Sequence, residues 1–356
     1  MVGAVPVGGG ASVAVQSMTC TRTGDADATL AQVRALATAG CEIVRVSLPT
    51  AAEAPAFARV VREAGVPIIA DIHFDWRLAL AAIDAGAAGV RINPGTMAEK
   101  HVREIVQAAA DARVPGLAGG PDVPVAIRIG VNAGSLPRDL RERAETDVPG
   151  ALVEAALRWA EQFDEWDFAS YKLSVKSSSV PDTIAAYRLL AQKTEAPLHV
   201  GVTEAGTVWS GTIKSAVGIG TLLADGVGDT IRVSLTGDPV EEVRAAWQIL
   251  AALGLRRRGP EVISCPTCGR TEVDIVGLAE EVERRLGSDP ALAGRVISVA
   301  VMGCRVNGPE EARHADYGIA AGAGEGVLFD HGERVATLPE GQLLDALLEL
   351  VRGSAG

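Results

Sequence analysis

The chain has 356 residues, 48% of them hydrophobic but only 4% aromatic, and a net charge of −12. That length suits one large domain plus a smaller one, and the acidic balance argues against nucleic acid, whose phosphates need a basic face. Five cysteines without framework spacing exclude a disulfide scaffold. No apolar run is long enough to span a bilayer and no secretion signal opens the chain, so a cytoplasmic protein without membrane contact is expected.

From residue 13 to about residue 253 one unit recurs: a short β-branched run, a polar loop, then an Ala/Leu-rich helical stretch. Strands are predicted at 13–18, 42–48, 67–73, 89–93, 125–131, 169–175, 198–202 and 230–235. Helices are predicted at 28–39, 51–64, 76–85, 102–112, 151–163, 180–193, 213–224 and 240–253. Eight such alternations over about 250 residues match a (β/α)8 TIM barrel in count and length. An open doubly wound sheet is the rival, but no Gly-x-Gly-x-x-Gly follows the first strand.

In a TIM barrel the reactive side chains stand at the C-terminal ends of the strands. Reading each strand to its end gives Gln16, Arg45, Asp71 and His73, then Arg91 and Asn93, Arg128 and Asn132, and Ser174 and Lys176. The last two strands give His199, Thr203 and Glu204, then Arg232 and Ser234. Any one cation can pair with a neighbouring carboxylate. Five at equivalent positions (Arg45, Arg91, Arg128, Lys176, Arg232) would repel strongly unless an anion balanced them. Arginine forks match phosphate oxygens, so a substrate with more than one phosphate is expected. Asp71 and His73 alternate along one strand and share a face, as an acid/base or hydroxyl-binding pair or as a core histidine fixed by an aspartate. Glu204 is a candidate late proton donor if burial raises its pKa, and otherwise a solvated loop acid.

The run Arg256-Arg257-Arg258-Gly259-Pro260 reads as a helix end and linker, dividing the chain into residues 1–257 and 262–356. The second part is expected to be a small α/β domain, with a helix at 273–286, a strand at 296–301, two further short strands and a closing helix at 338–351. It holds three of the five cysteines: Cys265 and Cys268 of a Cys-Pro-Thr-Cys turn, and Cys304 in Met302-Gly303-Cys304. Three thiolates make a soft metal site with one position open, whereas a closed structural zinc site wants four ligands. Glu311, seven residues after Cys304, is the candidate for the open position and His314 its competitor. Two other readings stand beside this one. One is a lyase-type barrel for a phosphate ligand with a structural zinc domain, the other a zinc-stapled binding module for an acidic metabolite. Cys20 and Cys41 read as ordinary loop or buried cysteines.

Several longer stretches carry a resemblance. They are Val15-Gln16-Ser17-Met18-Thr19, Ala70-Asp71-Ile72-His73-Phe74, Arg91-Ile92-Asn93-Pro94-Gly95, and the stretch from Ile127 to Leu136. Gly201-Val202-Thr203-Glu204-Ala205-Gly206, the stretch from Gly228 to Leu235, and the two cysteine loops continue it. Together they resemble the 4-hydroxy-3-methylbut-2-enyl diphosphate synthases of the non-mevalonate isoprenoid pathway, over nearly the whole chain. The resemblance implies reductive ring opening of 2-C-methyl-D-erythritol 2,4-cyclodiphosphate, with loss of water. It also implies a [4Fe-4S] cluster on Cys265, Cys268 and Cys304 with Glu311 as its fourth ligand, and ferredoxin or flavodoxin as one-electron donor. Glu204 would be the proton donor and the barrel cations the diphosphate site. A homodimer is implied, in which one subunit's barrel faces the other's cluster domain. Three features depart from the family pattern. Glu310 stands where the family has glycine, Thr96 where it has asparagine, and 116–122 reads as an insertion. Were that glycine's φ positive, Glu310 would cost on the order of 1 kcal/mol, and which of Glu310 and Glu311 meets the iron stays open. The segment before the first strand is also short for the family, as if part of a leading hairpin were missing.

Overall fold

The computed structural model describes residues 1–292, 294–304 and 307–353; Arg305 and Val306 of the second cysteine motif lie outside the described residues. The chain divides into two units, Met1–Arg256 and Arg257–Gly356.

In the first unit, eight parallel strands alternate with helices: β1 (Ala14–Met18), β2 (Ile43–Ser47), β3 (Ile68–Asp71), β4 (Gly89–Ile92), β5 (Ala126–Asn132), β6 (Tyr171–Lys176), β7 (His199–Val200) and β8 (Thr230–Ile231). They pair in the order β6-β5-β4-β3-β2-β1-β8-β7, and a parallel bridge between Leu173 and Leu198 joins the two ends. The result is a TIM barrel, as the alternation predicts. Around it run α1 (Ala26–Ala39), α2 (Ala54–Glu63), α3 (Trp76–Asp84), α4 (Glu99–Asp111), α5 (Arg138–Ala144), α6 (Val148–Glu165), α7 (Val180–Ala191), α8 (Val208–Ala224) and α9 (Pro239–Ala252). Outward-facing Val15, Val44, Val46, Val90, Ile127 and Val175 pack against these helices in one core. Aspartates or serines cap many of the helices, including Asp25 on α1, Asp75 on α3 and Ser179 on α7, each accepting from an orphan backbone N–H. Val2 packs with Ala14, Ile43, Ile69, Ala88 and Ala126, closing the N-terminal end of the barrel with apolar groups.

Three differences from the sequence reading have local causes. The short helix α5 is not predicted, because five of its seven residues are charged and mask any apolar stripe. β7 and β8 have two residues each, against five and six predicted, since the chain beyond them loosens into loops toward the mouth. Residues 116–122 form a turn closed by an antiparallel bridge between Val114 and Val123.

The second unit is a five-stranded sheet in the order β13-β12-β11-β10-β9. Its strands are β9 (Pro260–Ser264), β10 (Ile297–Met302), β11 (Tyr317–Ala321), β12 (Glu325–Asp330) and β13 (Glu333–Pro339), with β9, β10 and β11 parallel. Helices α10 (Ile275–Ser288) and α12 (Glu340–Gly353) pack on it through Val282, Leu286, Leu343 and Leu347, and the short α11 (Gly308–Ala312) follows β10. β9 begins inside the stretch read as linker. Its Pro and Gly neighbours look like a break, but proline is tolerated as the first residue of an edge strand.

Candidate active site

The strand registers place the inward side chains of alternate strands in shared layers, the usual filling of a (β/α)8 barrel. Bulky branched residues ordinarily dominate that filling. Here apolar groups close only the N-terminal end. Above them come Lys172 and Thr230, then Gln16, Arg128 and His199, then Arg45, Arg91, Ser174 and Arg232. Asp71, Gly130 and Gly201 follow, with Asn93, Lys176 and Ser234 nearest the mouth. Arg45, Arg91, Arg128, Lys172 and Lys176 are all less than 9% exposed. A barrel interior has been made cationic.

Asp71 is the carboxylate at the centre of this group. Its Oδ1 lies 3.6 Å from Arg45 Nε and 3.7 Å from Arg91 Nη1, and its Oδ2 lies 3.0 Å from His73 Nε2. Burial pushes its pKa up, but Arg45, the His73 hydrogen bond, Arg91 and Arg128 outweigh burial and hold it well below the usual carboxylate range. The expected Asp71–His73 pair is therefore present, with His73 exposed at the rim and Asp71 ionised. Arg45 also donates from Nε and Nη2 to Met18 Sδ at 3.2 and 3.0 Å. Asn132, with its amide oriented to satisfy both ends, accepts from Arg91 Nη2 at 3.2 Å.

The five cations do not share one environment. Arg232 is paired with Glu242 of α9, at 3.2 and 3.3 Å, so for this residue the carboxylate explanation holds. Glu242, 4% exposed, also accepts from Ser17 Oγ and the Leu235 N–H. Arg45 and Arg91 divide Asp71 between them. Among the described residues, no carboxylate lies within ion-pair distance of Arg128 or Lys176. Burial and then the neighbouring cations push both well below their ordinary pKa ranges. Lys172, which a reading of the strand ends passes over, is a further buried cation, pushed down to about 7 by burial and by Arg128. The signal for it was available: Lys172, Ser174 and Lys176 alternate along β6, placing three polar side chains on one face. Two glycines were likewise passed over. A Cβ on Gly130 would stand 2.8 Å from Arg91 Nε, so that position clears room for a cation, while one on Gly201 would meet first the Arg232 carbonyl and then Lys176 Nζ at 2.8 Å.

This electrostatic arrangement has a pH signature. Lys172 has its folded-state pKa lowered to about 7, so as pH rises through that value the free protein loses the ammonium proton. An anion bound in the barrel favours the charged form and must take that proton back, so affinity falls as pH rises. Low-millimolar sulfate, whose charge is constant over this range, is expected to raise the melting temperature more at about pH 6.5 than at about pH 8.5. Equal shifts at the two pH values would contradict an anion site with titrating walls.

The remaining barrel residues spread along its axis. Asn93 and Ser174 are buried, Thr203 and Ser234 half-buried, and Ser174 Oγ donates to the Ile129 carbonyl at 3.4 Å. His199, expected at the mouth, is fully buried deeper in the barrel and hydrogen-bonded to Thr230. Glu204, read as a proton donor only if buried, is exposed. Its φ of +52° is left-handed, a conformation non-glycine residues rarely hold and one that marks functional loops. Thr96 hydrogen-bonds the carbonyls of His73 and Asn93 at 3.0 and 2.8 Å, tying the two rim loops together.

In the second unit the two cysteine loops meet at the C-terminal ends of the paired strands β9 and β10. The Gly303 N–H donates to Cys265 Sγ at 3.4 Å and the Glu272 N–H donates to the Gly303 carbonyl at 3.1 Å. Cys265 and Cys304 are half-buried, Cys268 is exposed, and none of the five cysteines forms a disulfide. Among the described residues no three His, Cys, Asp or Glu side chains stand close enough to hold a metal ion. Glu310 and Glu311 lie in the first turn of α11, where the helix dipole favours acids. Glu310 does not have a positive φ, so the feared strain is absent, and it pairs with Arg313 at 3.5 Å. His314 is exposed just beyond that helix. Cys41 is buried, its thiol pushed up to about 12 by burial, and Cys20 is exposed at the end of β1.

Two family models account for most of the chain: the GcpE TIM-barrel domain over residues 1–247 and the GcpE protein C-terminal domain over residues 261–353. The chain belongs to the GcpE family. A GcpE relative in Geobacter sulfurreducens, named 4-hydroxy-3-methylbut-2-en-1-yl diphosphate synthase (flavodoxin), is 53% identical over 98% of this chain and 94% of its own length. Proteins of the same name in Clostridium perfringens and Symbiobacterium thermophilum are 48% and 49% identical, covering 98% and 99% of this chain and 96% and 92% of their own lengths.

Proposed function

We propose that this GcpE-family chain is an oxidoreductase of isoprenoid biosynthesis, forming 4-hydroxy-3-methylbut-2-enyl diphosphate from 2-C-methyl-D-erythritol 2,4-cyclodiphosphate. The observation that carries the substrate is the buried set of Arg45, Arg91, Arg128 and Lys176, in which Arg128 and Lys176 face no ion-pairing carboxylate among the described residues. Two electrons and two protons enter, one ring C–O bond breaks, the diphosphate stays on the product and one oxygen leaves as water.

Arg128 and Lys176 hold the diphosphate, and Arg45 and Arg91, kept in place by Asp71, complete its charge balance. His73, Asn93, Asn132, Ser174, Thr203 and Ser234 supply hydrogen bonds to the remaining oxygens. Glu204 gives a proton to the departing oxygen. Its exposed position on the barrel makes it accessible to solvent protons between turnovers. Cys265, Cys268 and Cys304 fit an iron–sulfur cluster in kind, as three soft thiolates on two joined loops, and Glu311 fits the fourth position of a [4Fe-4S] cluster because Glu310 already has Arg313. When bound, such a cluster supplies the electrons one at a time, received from flavodoxin, the donor printed in the relatives' names.

A homodimer is part of the proposal. Trp209, Ile213 and Val217, four residues apart on α8, are 80%, 48% and 52% exposed, an apolar stripe of the kind that subunit contacts cover. Among the described residues, no helix is long and apolar enough to cross a membrane.

Iron, acid-labile sulfide and zinc per chain, measured on protein purified without oxygen, test the cofactor. About four iron and four sulfide with little zinc is the expected result. About one zinc and no sulfide would instead favour a phosphate-binding barrel with a structural clip.

A further inference from the structure

Gln16, Arg128 and His199 share one layer at mid-barrel and are 1%, 4% and 0% exposed. Four polar atoms in this layer have no partner among the described residues: Gln16 Nε2 and Oε1, Arg128 Nε and His199 Nε2. One layer further in, Lys172 Nζ lies 3.5 Å from Thr230 Oγ1, and Thr230 Oγ1 lies 2.8 Å from His199 Nδ1.

This string has a direction. An ammonium can only donate, so the Thr230 oxygen accepts from Lys172 and keeps its own hydrogen for another partner, with His199 Nδ1 the nitrogen beside it. When that hydrogen points at Nδ1, the ring proton sits on Nε2. Burial, followed by the charges of Lys176, Arg128 and Lys172, pushes the His199 pKa well below its ordinary value and keeps the ring neutral. The layer then offers three donors (His199 Nε2–H, Arg128 Nε–H and the Gln16 amide) against one acceptor, Gln16 Oε1. A donor-rich, positively charged enclosure matches an oxyanion and repels a cation.

We propose that Lys172 and Thr230 are positioning residues that hold His199 as an Nε2–H donor to a phosphate oxygen at the centre of the barrel, beside Arg128. The proposal rests on the diphosphate reading above and adds to it the deep end of the site. Lys172 and Thr230 act through His199 and touch no substrate themselves.

The test uses full-length protein labelled with 15N-histidine, at about pH 6.5 so that Lys172 is charged. Nitrogen NMR reads the His199 tautomer and calorimetry reads the affinity for inorganic pyrophosphate. Wild type is expected to show the Nε2–H form. Thr230→Val is expected to lose that fixed tautomer and bind pyrophosphate about tenfold more weakly, and Thr230→Ser to restore both. If Thr230→Val does not fold, Lys172→Met serves in its place, with the same loss expected. A folded Thr230→Val or Lys172→Met protein with unchanged tautomer and affinity overturns the proposal. Arg128→Met separates the two levels: if it weakens pyrophosphate binding while the Thr230 and Lys172 variants do not, only this inference fails. If it too has no effect, the anion site itself fails.

Discussion

Cys304→Ser is expected to abolish turnover while leaving the barrel folded. Cys304 lies in the second unit, on the loop that reaches Cys265 through the Gly303 N–H, and it contributes nothing to the barrel's core. Losing a residue that merely orients a metal ligand costs about 10–100-fold in affinity or activity, so losing a ligand should cost more. Circular dichroism and anaerobic turnover, measured on the same preparation, check both halves of the statement. Wild-type turnover in this variant would show that a three-thiolate cluster is not needed. Loss of turnover together with collapse of the barrel would mean that the two units fold as one.

Arg128→Met is expected to weaken substrate binding by about 2–4 kcal/mol, roughly 30- to 1000-fold, the loss of one buried charged donor. The same change should leave the ligand-free fold at least as stable. Arg128 is a buried cation without an ion-pairing carboxylate among the described residues, and replacing buried charge with apolar volume is often neutral or stabilising. Affinity and stability thus move in opposite directions. Calorimetric titration and urea unfolding read the two quantities. An unchanged dissociation constant, or a marked drop in stability, would make Arg128 a structural residue.

Much of this arrangement was legible in the chain. Strand and helix alternation gives the barrel because parallel strands buried on both faces must be apolar and short, while the helices between them carry Ala/Leu faces. Arg45, Arg91, Arg128 and Lys176 stood out because a cation within a β-branched barrel strand has few structural reasons to be there, although Arg128 lies at mid-barrel and not at its strand's end. What escaped depends on neighbours distant in sequence. The Arg232–Glu242 pair joins the end of β8 to α9, and nothing in either segment alone distinguishes it from a ligand-binding arginine. Lys172 was missed because the strands were read for chemistry only toward their ends, although its alternation with Ser174 and Lys176 places it on the same inward face. Gly130 and Gly201 serve by lacking a side chain, which only a neighbour's position reveals. His199 was expected too near the mouth: it is the first residue of β7, not its last, and so lies three layers below the groups nearest the mouth. In the second unit, β9 was concealed by its proline and glycine neighbours.

The most direct test of the whole account is turnover of 2-C-methyl-D-erythritol 2,4-cyclodiphosphate by protein purified without oxygen, with reduced flavodoxin as electron source. The account predicts 4-hydroxy-3-methylbut-2-enyl diphosphate, with two electrons consumed for each ring opened. A cluster-loaded protein that binds the cyclic diphosphate yet leaves it unchanged under these conditions would contradict it.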